Sequence, residues 1–302
     1  MDRSHRKGLF AVAFAGLLWA LLAPAGKMLI QDGVEAPTIA FFRVITVLAL
    51  TGPFLFLFRR QAFRVTPSQL GFLFLYGGVG VAASYVGYLM SLHWLSVPFA
   101  LLLHYTFPIM TLLGASLITG ERPLKGQLFA ALFILSGVAL PMIGSDSSLS
   151  GCFSLPGLLW GLLAAMAMAM QSLFGRLTGK GGAPFSTETL FFYAHLFAGI
   201  VLGLGKTVGQ GWSDLALVGG RQWLLIATLG VFGSLLPYAV FYFGLRHVDA
   251  STASLAATVE IVGGVALTAF ILGQIPQETE VWGCLAIIVG LVLNARAPLR
   301  EG

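Results

Sequence analysis

The sequence predicts an all-α membrane protein of ten transmembrane helices, built as two inverted five-helix repeats with both termini cytoplasmic. Composition is the first reason. Of the 302 residues 57% are hydrophobic and 10% charged, with a mean hydropathy of +0.89, against about 25% charged in a typical soluble domain. No soluble core buries that much apolar surface, so lipid must be the solvent for most side chains. The second reason is an ungapped internal repeat. At a constant offset of 153 residues, Gly77, Gly80, Tyr85, Leu92, Ala100, Leu102, Ile118, Gly120, Pro123 and Gly137 return as Gly230, Gly233, Tyr238, Leu245, Ala253, Leu255, Ile271, Gly273, Pro276 and Gly290. A shorter echo, GLLWALLA at 16–23, returns as GLLWGLLA at 157–164. The third is charge placement. With the N-terminus inside, Arg3, Arg6, Lys7, Arg59, Arg60, Arg64, Arg122, Lys125, Arg176, Lys180, Arg246, Arg296 and Arg300 fall on the cytoplasmic side and only Lys206 and Arg221 outside, a split of 13 to 2 that follows the positive-inside rule. Lys27 and Arg43 stay within spans.

The spans follow in order, each an apolar run of about 20 residues. Span 1, 8–30, comes after a basic stretch resembling a signal-peptide n-region. Its apolar run is too long for an h-region, and no small-residue cleavage site follows, so it reads as a retained helix. Span 2, 37–58, carries Arg43. Span 3, 67–92, is glycine-rich and holds Tyr85 and Tyr88. Span 4, 97–119, holds His104 and Tyr105, and span 5 is 124–144. These five form the first repeat, residues 1–150. The second repeat, 151–302, contains span 6 (155–178, with Trp160), span 7 (187–206), span 8 (221–245, with Tyr238 and Tyr242), span 9 (250–273, with Glu260) and span 10 (277–297). Glu278, Glu280 and Asn294 trim the apolar run of span 10. Both termini inside requires an even number of spans, and ten complies. Five spans per half, an odd number, turns the second half upside down relative to the first, the arrangement of many carriers.

The loops are short, and none leaves room for a soluble domain. The basic residues lie in those loops and are accounted for by topology, so no nucleic-acid partner is expected despite a net charge of +5. Cys152 lies in a polar loop and Cys284 inside a span, so no bridge between them is expected. The five histidines are scattered, with no H-E-x-x-H and no Cys/His metal spacing, and no GxxxxGK[ST] phosphate loop is present. Neither an enzyme nor a cofactor or metal is expected, and any transport must run on a gradient.

The layout resembles the drug/metabolite transporter superfamily, and within it the EamA-type ten-helix exporters. The likeness covers essentially the whole chain. It rests on G-L-L-W in spans 1 and 6, on A-F-F-R at 40–43, on the G-E-R-P turn at 120–123 echoed as G-Q-I-P at 273–276, and on the glycines of spans 5 and 10. Gln274 replaces the usual acidic residue, and Tyr193 stands where the first half has Arg43. The resemblance implies transport of a small organic metabolite, often an amino acid and often outward.

Charged groups inside spans are functional candidates by default. Lys27, near the outer surface, can snorkel. Arg43 lies about six residues, roughly 9 Å, inside the outer end of span 2; its fork suits a carboxylate, or else it is tied to carbonyls at a broken helix. Glu260 is the one acid near the middle of the membrane, about ten residues or ~15 Å into span 9. It reads either as a proton- or cation-binding carboxyl or as a structural one. Tyr85/Tyr88 and Tyr238/Tyr242 share helix faces by spacing; rings of this kind pack a core or line a cavity for an apolar or cationic group. The expected substrate site lies at the midplane between the halves, on spans 1, 3, 4, 6, 8 and 9, from Tyr85, Tyr88, His104, Tyr105, Trp160, Tyr238 and Glu260, with Arg43. The expected function is secondary active export of a small metabolite such as an amino acid across the bacterial inner membrane. Lipid surrounds the protein and protons are the candidate coupling ion. A passive channel or facilitator is the alternative, and a multispan membrane enzyme a further one.

Overall fold

A computed structural model describes residues 3–91, 94–95, 103–143, 154–273 and 275–296; Cys152 and Pro98 lie outside them. Every regular element among the described residues is helical. Eight helices are long and apolar enough to cross a membrane: Arg3–Gln31, Ala36–Phe58, Pro67–Tyr88, Leu155–Gly179, Thr187–Gly209, Gly220–Leu245, Ala250–Ile271 and Glu278–Arg296. Two shorter apolar helices, Phe107–Ile118 and Lys125–Pro141, fall in spans 4 and 5. The outer surface is studded with Phe10, Phe54, Leu57, Leu117, Phe270 and Ile275, each more than half exposed. Only lipid makes such a surface affordable, and the protein is an integral membrane protein.

Local signals set the helix ends. Proline in the first turn opens Ala36–Phe58, Pro67–Leu75, Phe107–Ile118 and Leu155–Gly179, where its missing N–H costs nothing. Thr66 and Gln69 close a capping box, and Ser186 and Asp249 cap their helices through the amides of Thr189 and Thr252. Gly120 and Gly273, repeat mates, have φ of +70° and +65°, a backbone that disfavours any residue with a Cβ.

Several long apolar runs are broken. Span 1 runs as Arg3–Trp19 and Leu22–Gln31. Span 3 widens into a π turn at Tyr76–Val81 and span 8 into another at Val231–Leu235, close to the 153-residue offset. Span 9 breaks at Thr258 between Ala250–Ala257 and Val259–Leu272. Its repeat mate Tyr105 lies in the turn that precedes Phe107–Ile118.

Contacts recur with the halves exchanged. Span 3 packs on span 6 as span 8 packs on span 1, and span 4 packs on span 6 as span 9 packs on span 1. Spans 5 and 10 form the tightest seam. A Cβ on Gly137 would lie 2.5 Å from the Gly283 carbonyl and 2.7 Å from Ile287, and one on Gly290 would lie 2.8 Å from the Ala130 carbonyl and 2.7 Å from Ile134. Ala130, Ile134 and Gly137 are the repeat mates of Gly283, Ile287 and Gly290, so each contact appears twice with its partners swapped.

Candidate functional site

A cavity of about 380 Å³ lies beside the C-terminal half of span 9. The Thr258 break creates it. All eight residues of Ala250–Ala257 are buried, whereas Val259–Leu272 turns Glu260, Ile261, Gly264, Val265 and Thr268 onto the cavity wall. Trp19 and Ala20 of span 1, Tyr105 of span 4, and Ile275, Pro276, Gln277 and Glu280 from the start of span 10 complete the lining. Glu260 stands in the first turn after the break and is half-buried. No hydrogen bond or ion pair joins it to another described residue, and the charge of Arg43 acts on it.

Behind Trp19 the interface between the halves is packed with rings. Trp19 meets Tyr238 edge-on at 5.0 Å and Phe241 at 5.3 Å. Tyr238 stacks on Tyr85 at 6.5 Å, and the Tyr85 hydroxyl lies 3.4 Å from His195 Nε2. The Arg43 guanidinium sits over the Tyr85 ring, 4.7 Å from its centroid, a cation–π contact. It donates from Nε to Ser234 Oγ at 3.0 Å and from Nη2 to the Gly233 carbonyl at 3.1 Å. Both acceptors belong to the π turn of span 8, where irregular winding brings backbone oxygen within reach of a side chain.

Of the residues singled out from the sequence, Arg43, Tyr85 and Tyr238 meet in this buried cluster. Tyr88, His104 and Tyr105 form a second group, with ring centroids 5.7 and 5.3 Å apart, and Tyr105 reaches the cavity that holds Glu260. Trp160 stands apart, in a shallow depression formed by Leu155, Pro156, Leu159 and Leu163 of its own helix. Its repeat counterpart Trp19 lines the cavity instead. Sequence reasoning did not select Trp19, His195, Ser234, Thr268, Gln277 or Glu280. The G-L-L-W repeat pointed equally to both tryptophans, whereas His195 carries no local motif.

Polar networks join the halves at both ends of the helix bundle. At one end the Glu121 carboxylate accepts from Arg176 Nε at 2.8 Å, Lys180 Nζ at 3.3 Å, Thr119 Oγ1 at 3.1 Å and the Ala250 amide at 3.2 Å. Burial works against this charge, but the hydrogen bond and the guanidinium of Arg176, then the Ala250 amide and Lys180, outweigh it and hold the carboxyl below its ordinary range. Beside it Gln127 Nε2 donates to Asp249 Oδ1 at 2.8 Å and Thr252 Oγ1 at 3.0 Å, and Asn294 donates to the Thr252 carbonyl. At the other end Lys206, its side chain 1% exposed, pairs with Glu35 and, at 3.2 Å, with Asp214. Asp214 also accepts from the Glu35 amide at 2.9 Å. There too burial is outweighed, by the Glu35 amide and Lys206 among others, and the Asp214 carboxyl is held low. Asp32 accepts from Arg221 and Gln222 nearby.

Comparison with known proteins fits this architecture. The family model of the EamA-like transporter family matches twice, over residues 6–143 and 155–296. The riboflavin transporter ImpX of Fusobacterium nucleatum is 21% identical over 96% of this chain and 97% of its own length. The uncharacterized inner membrane transporter YhbE of Escherichia coli K12 is 29% identical over 37% of the chain and 35% of its own. The uncharacterized transporter YyaM of Bacillus subtilis is 26% identical over 64% and 62%. A solved structure described only as "Crystal structure of protein" superposes with a TM-score of 0.76 at 19% identity, covering 95% of this chain and 96% of that one. The names of the family and of these relatives denote transporters rather than enzymes.

Proposed function

The chain belongs to the EamA-like transporter family, and from that premise we propose that it is a secondary active transporter exporting a small organic solute across the bacterial inner membrane by alternating access. In this reading ten spans form two inverted five-helix repeats, 1–150 and 151–302, with both termini cytoplasmic. The exchanged contacts between halves support the pseudo-two-fold relation. So do the ion pairs. The Glu121 network joins only residues that the charge distribution puts inside, and the Glu35–Lys206–Asp214 network only residues that it puts outside.

The observation that carries the proposal is Glu260, a cavity-lining acid in the first turn after a helix break. The cavity is lined by Ile275–Glu280, on the outer side in this topology, whereas the buried helix Ala250–Ala257 and the Glu121 network close the inner side. In this reading the protein faces outward, and breaking the inner network while closing the outer cavity exposes the same acid to the cytoplasm. Glu260 is the group that takes up a solute charge or a proton. Trp19 and Tyr105 supply ring faces, and Tyr88 and His104 stand behind Tyr105. Arg43, Tyr85 and Tyr238 form a rigid rear wall, and Trp160 is the counterpart of Trp19 for the opposite orientation. The solute classes in view are amino acids and other small amines.

A second reading, movement of a planar aromatic solute, draws on the similarity to a riboflavin transporter and on the ring-lined cavity. Purified protein in proteoliposomes, offered amino acids, amines and riboflavin with and without a pH gradient, separates the possibilities. Saturable flux driven by the gradient is expected. Flux rising linearly with solute indicates a passive channel and overturns the carrier reading.

A further inference from the structure

We propose that the Glu260 cavity selects an organic cation, an ammonium-bearing solute with an apolar body and no carboxylate. This deepens the reading that the cavity is the transport site and rests on it. The charged lining consists of Glu260 and Glu280, and no lysine, arginine or histidine is among the lining residues. Its other polar groups are neutral: Tyr105, Thr268, Gln277 and Trp19. Glu280 accepts from the Gln277 amide at 2.8 Å, whereas Glu260 has no hydrogen-bond or ion-pair partner among the described residues. A cation entering meets two carboxylates and the faces of an indole and a phenol, the surroundings that favour ammonium groups.

An amino acid brings the same ammonium plus a carboxylate, and that carboxylate needs a donor of opposite charge once it leaves water. Arg43, whose charge acts on Glu260, donates to Ser234 and Gly233, with its face on Tyr85. It lies behind the Trp19–Tyr238 pair and outside the lining. A zwitterion would therefore set its carboxylate against two glutamates with nothing to offset it. Specificity arises here by repulsion as much as by attraction.

Binding to the purified full-length protein in detergent, followed by calorimetry, tests this with probes that share one phenyl body: phenethylamine, benzyltrimethylammonium, phenylalanine, phenylpropionate and benzyl alcohol. The two cations are expected to bind, phenylalanine at least tenfold more weakly than phenethylamine, and phenylpropionate not at all. Glu280→Gln should weaken both cations about threefold or more while leaving benzyl alcohol unchanged. Glu260→Gln should abolish cation binding in protein shown to be folded by its melting profile. Phenylalanine binding as tightly as phenethylamine, or no binding of either cation, overturns the proposal. Gradient-driven amino acid flux in proteoliposomes alongside such a result would leave the carrier reading standing. Selective cation binding without any flux would sink the carrier reading and leave the selectivity intact.

Discussion

Glu121→Gln should loosen the closed inner end without unfolding the protein. The glutamate side chain is 5% exposed and that of its partner Arg176 14%, so water screens their interaction little. A hydrogen bond to a charged group contributes about 1.5–3 kcal/mol net. The amide keeps an acceptor for Arg176 or for the Ala250 N–H but carries no charge, so about 2 kcal/mol of closed-state preference is lost. Lys180, 42% exposed, adds little. Two kcal/mol corresponds to roughly 30-fold in the ratio of closed to open. The measurement is the rate at which a cysteine at Ala253→Cys, in the buried half of span 9, reacts with an impermeant thiol reagent applied to inverted vesicles, in a background lacking Cys152 and Cys284. The rate should rise about 10- to 30-fold, since labelling follows the open population when closing is fast. Arg176→Gln should give a similar rise, and the two changes together less than the sum because they break one interaction. An unchanged rate in Glu121→Gln, in protein that remains folded, would remove this network from any role in closure.

Other outcomes follow from the same contacts. Glu260→Gln should abolish gradient-driven transport while solute exchange persists at least in part, since an amide keeps hydrogen bonds but carries no proton; unchanged transport in both modes makes Glu260 structural. Trp19→Ala should weaken solute affinity about tenfold, near 1.4 kcal/mol, and Trp160→Ala much less; equal losses would contradict the separate placement of the two rings. Gly137→Val or Gly290→Val drives a side chain into facing backbone and should lower stability by about 1–3 kcal/mol, read as a fall in melting temperature, whereas valine at Gly26, with open space around it, should have a far smaller effect on tertiary packing. Because the Glu121 carboxyl is held below its ordinary value, its contribution is complete above the ordinary carboxylate range and is lost as pH falls through the lowered value. Because thiol reactivity itself follows the thiolate fraction, labelling at position 253 is to be taken at each pH as a ratio to that in Glu121→Gln; the ratio should be constant at neutral pH and approach one only on strong acidification.

The amino-acid order carried the spans, because a run of about 20 apolar residues has one stable form in lipid. It carried the repeat pairs as well, since glycine and proline are rarely matched by accident. The interruptions were legible only in part: Pro24 and Pro237 suggested irregular winding in spans 1 and 8, close to the break after Trp19 and to the π turn Val231–Leu235, whereas the π turn at Tyr76–Val81 and the break at Thr258 carried no such mark. Glu260 was legible as an acid too deep to be incidental. Its cavity was not, because that depends on which way Val259–Leu272 turns after the break. Lys206 read as a surface charge and is in fact enclosed by Glu35 and Asp214, a burial set by a loop folding back onto a helix end. Trp19 and Trp160 were indistinguishable by motif, and only their places in the structure separate them.

A surface whose every contact recurs with its partners swapped is the surface of a homodimer. The Gly137–Gly283 and Gly290–Ala130 approaches are one such contact written twice. In a single chain the two copies are free to differ. A change at Gly283 now affects its approach to Gly137 and leaves that of Gly290 to Ala130 untouched, which is how alanine and glycine come to stand at equivalent positions today. One end of such a chain can therefore acquire a lock, as at Glu121, while the equivalent position at the other end becomes Gln274.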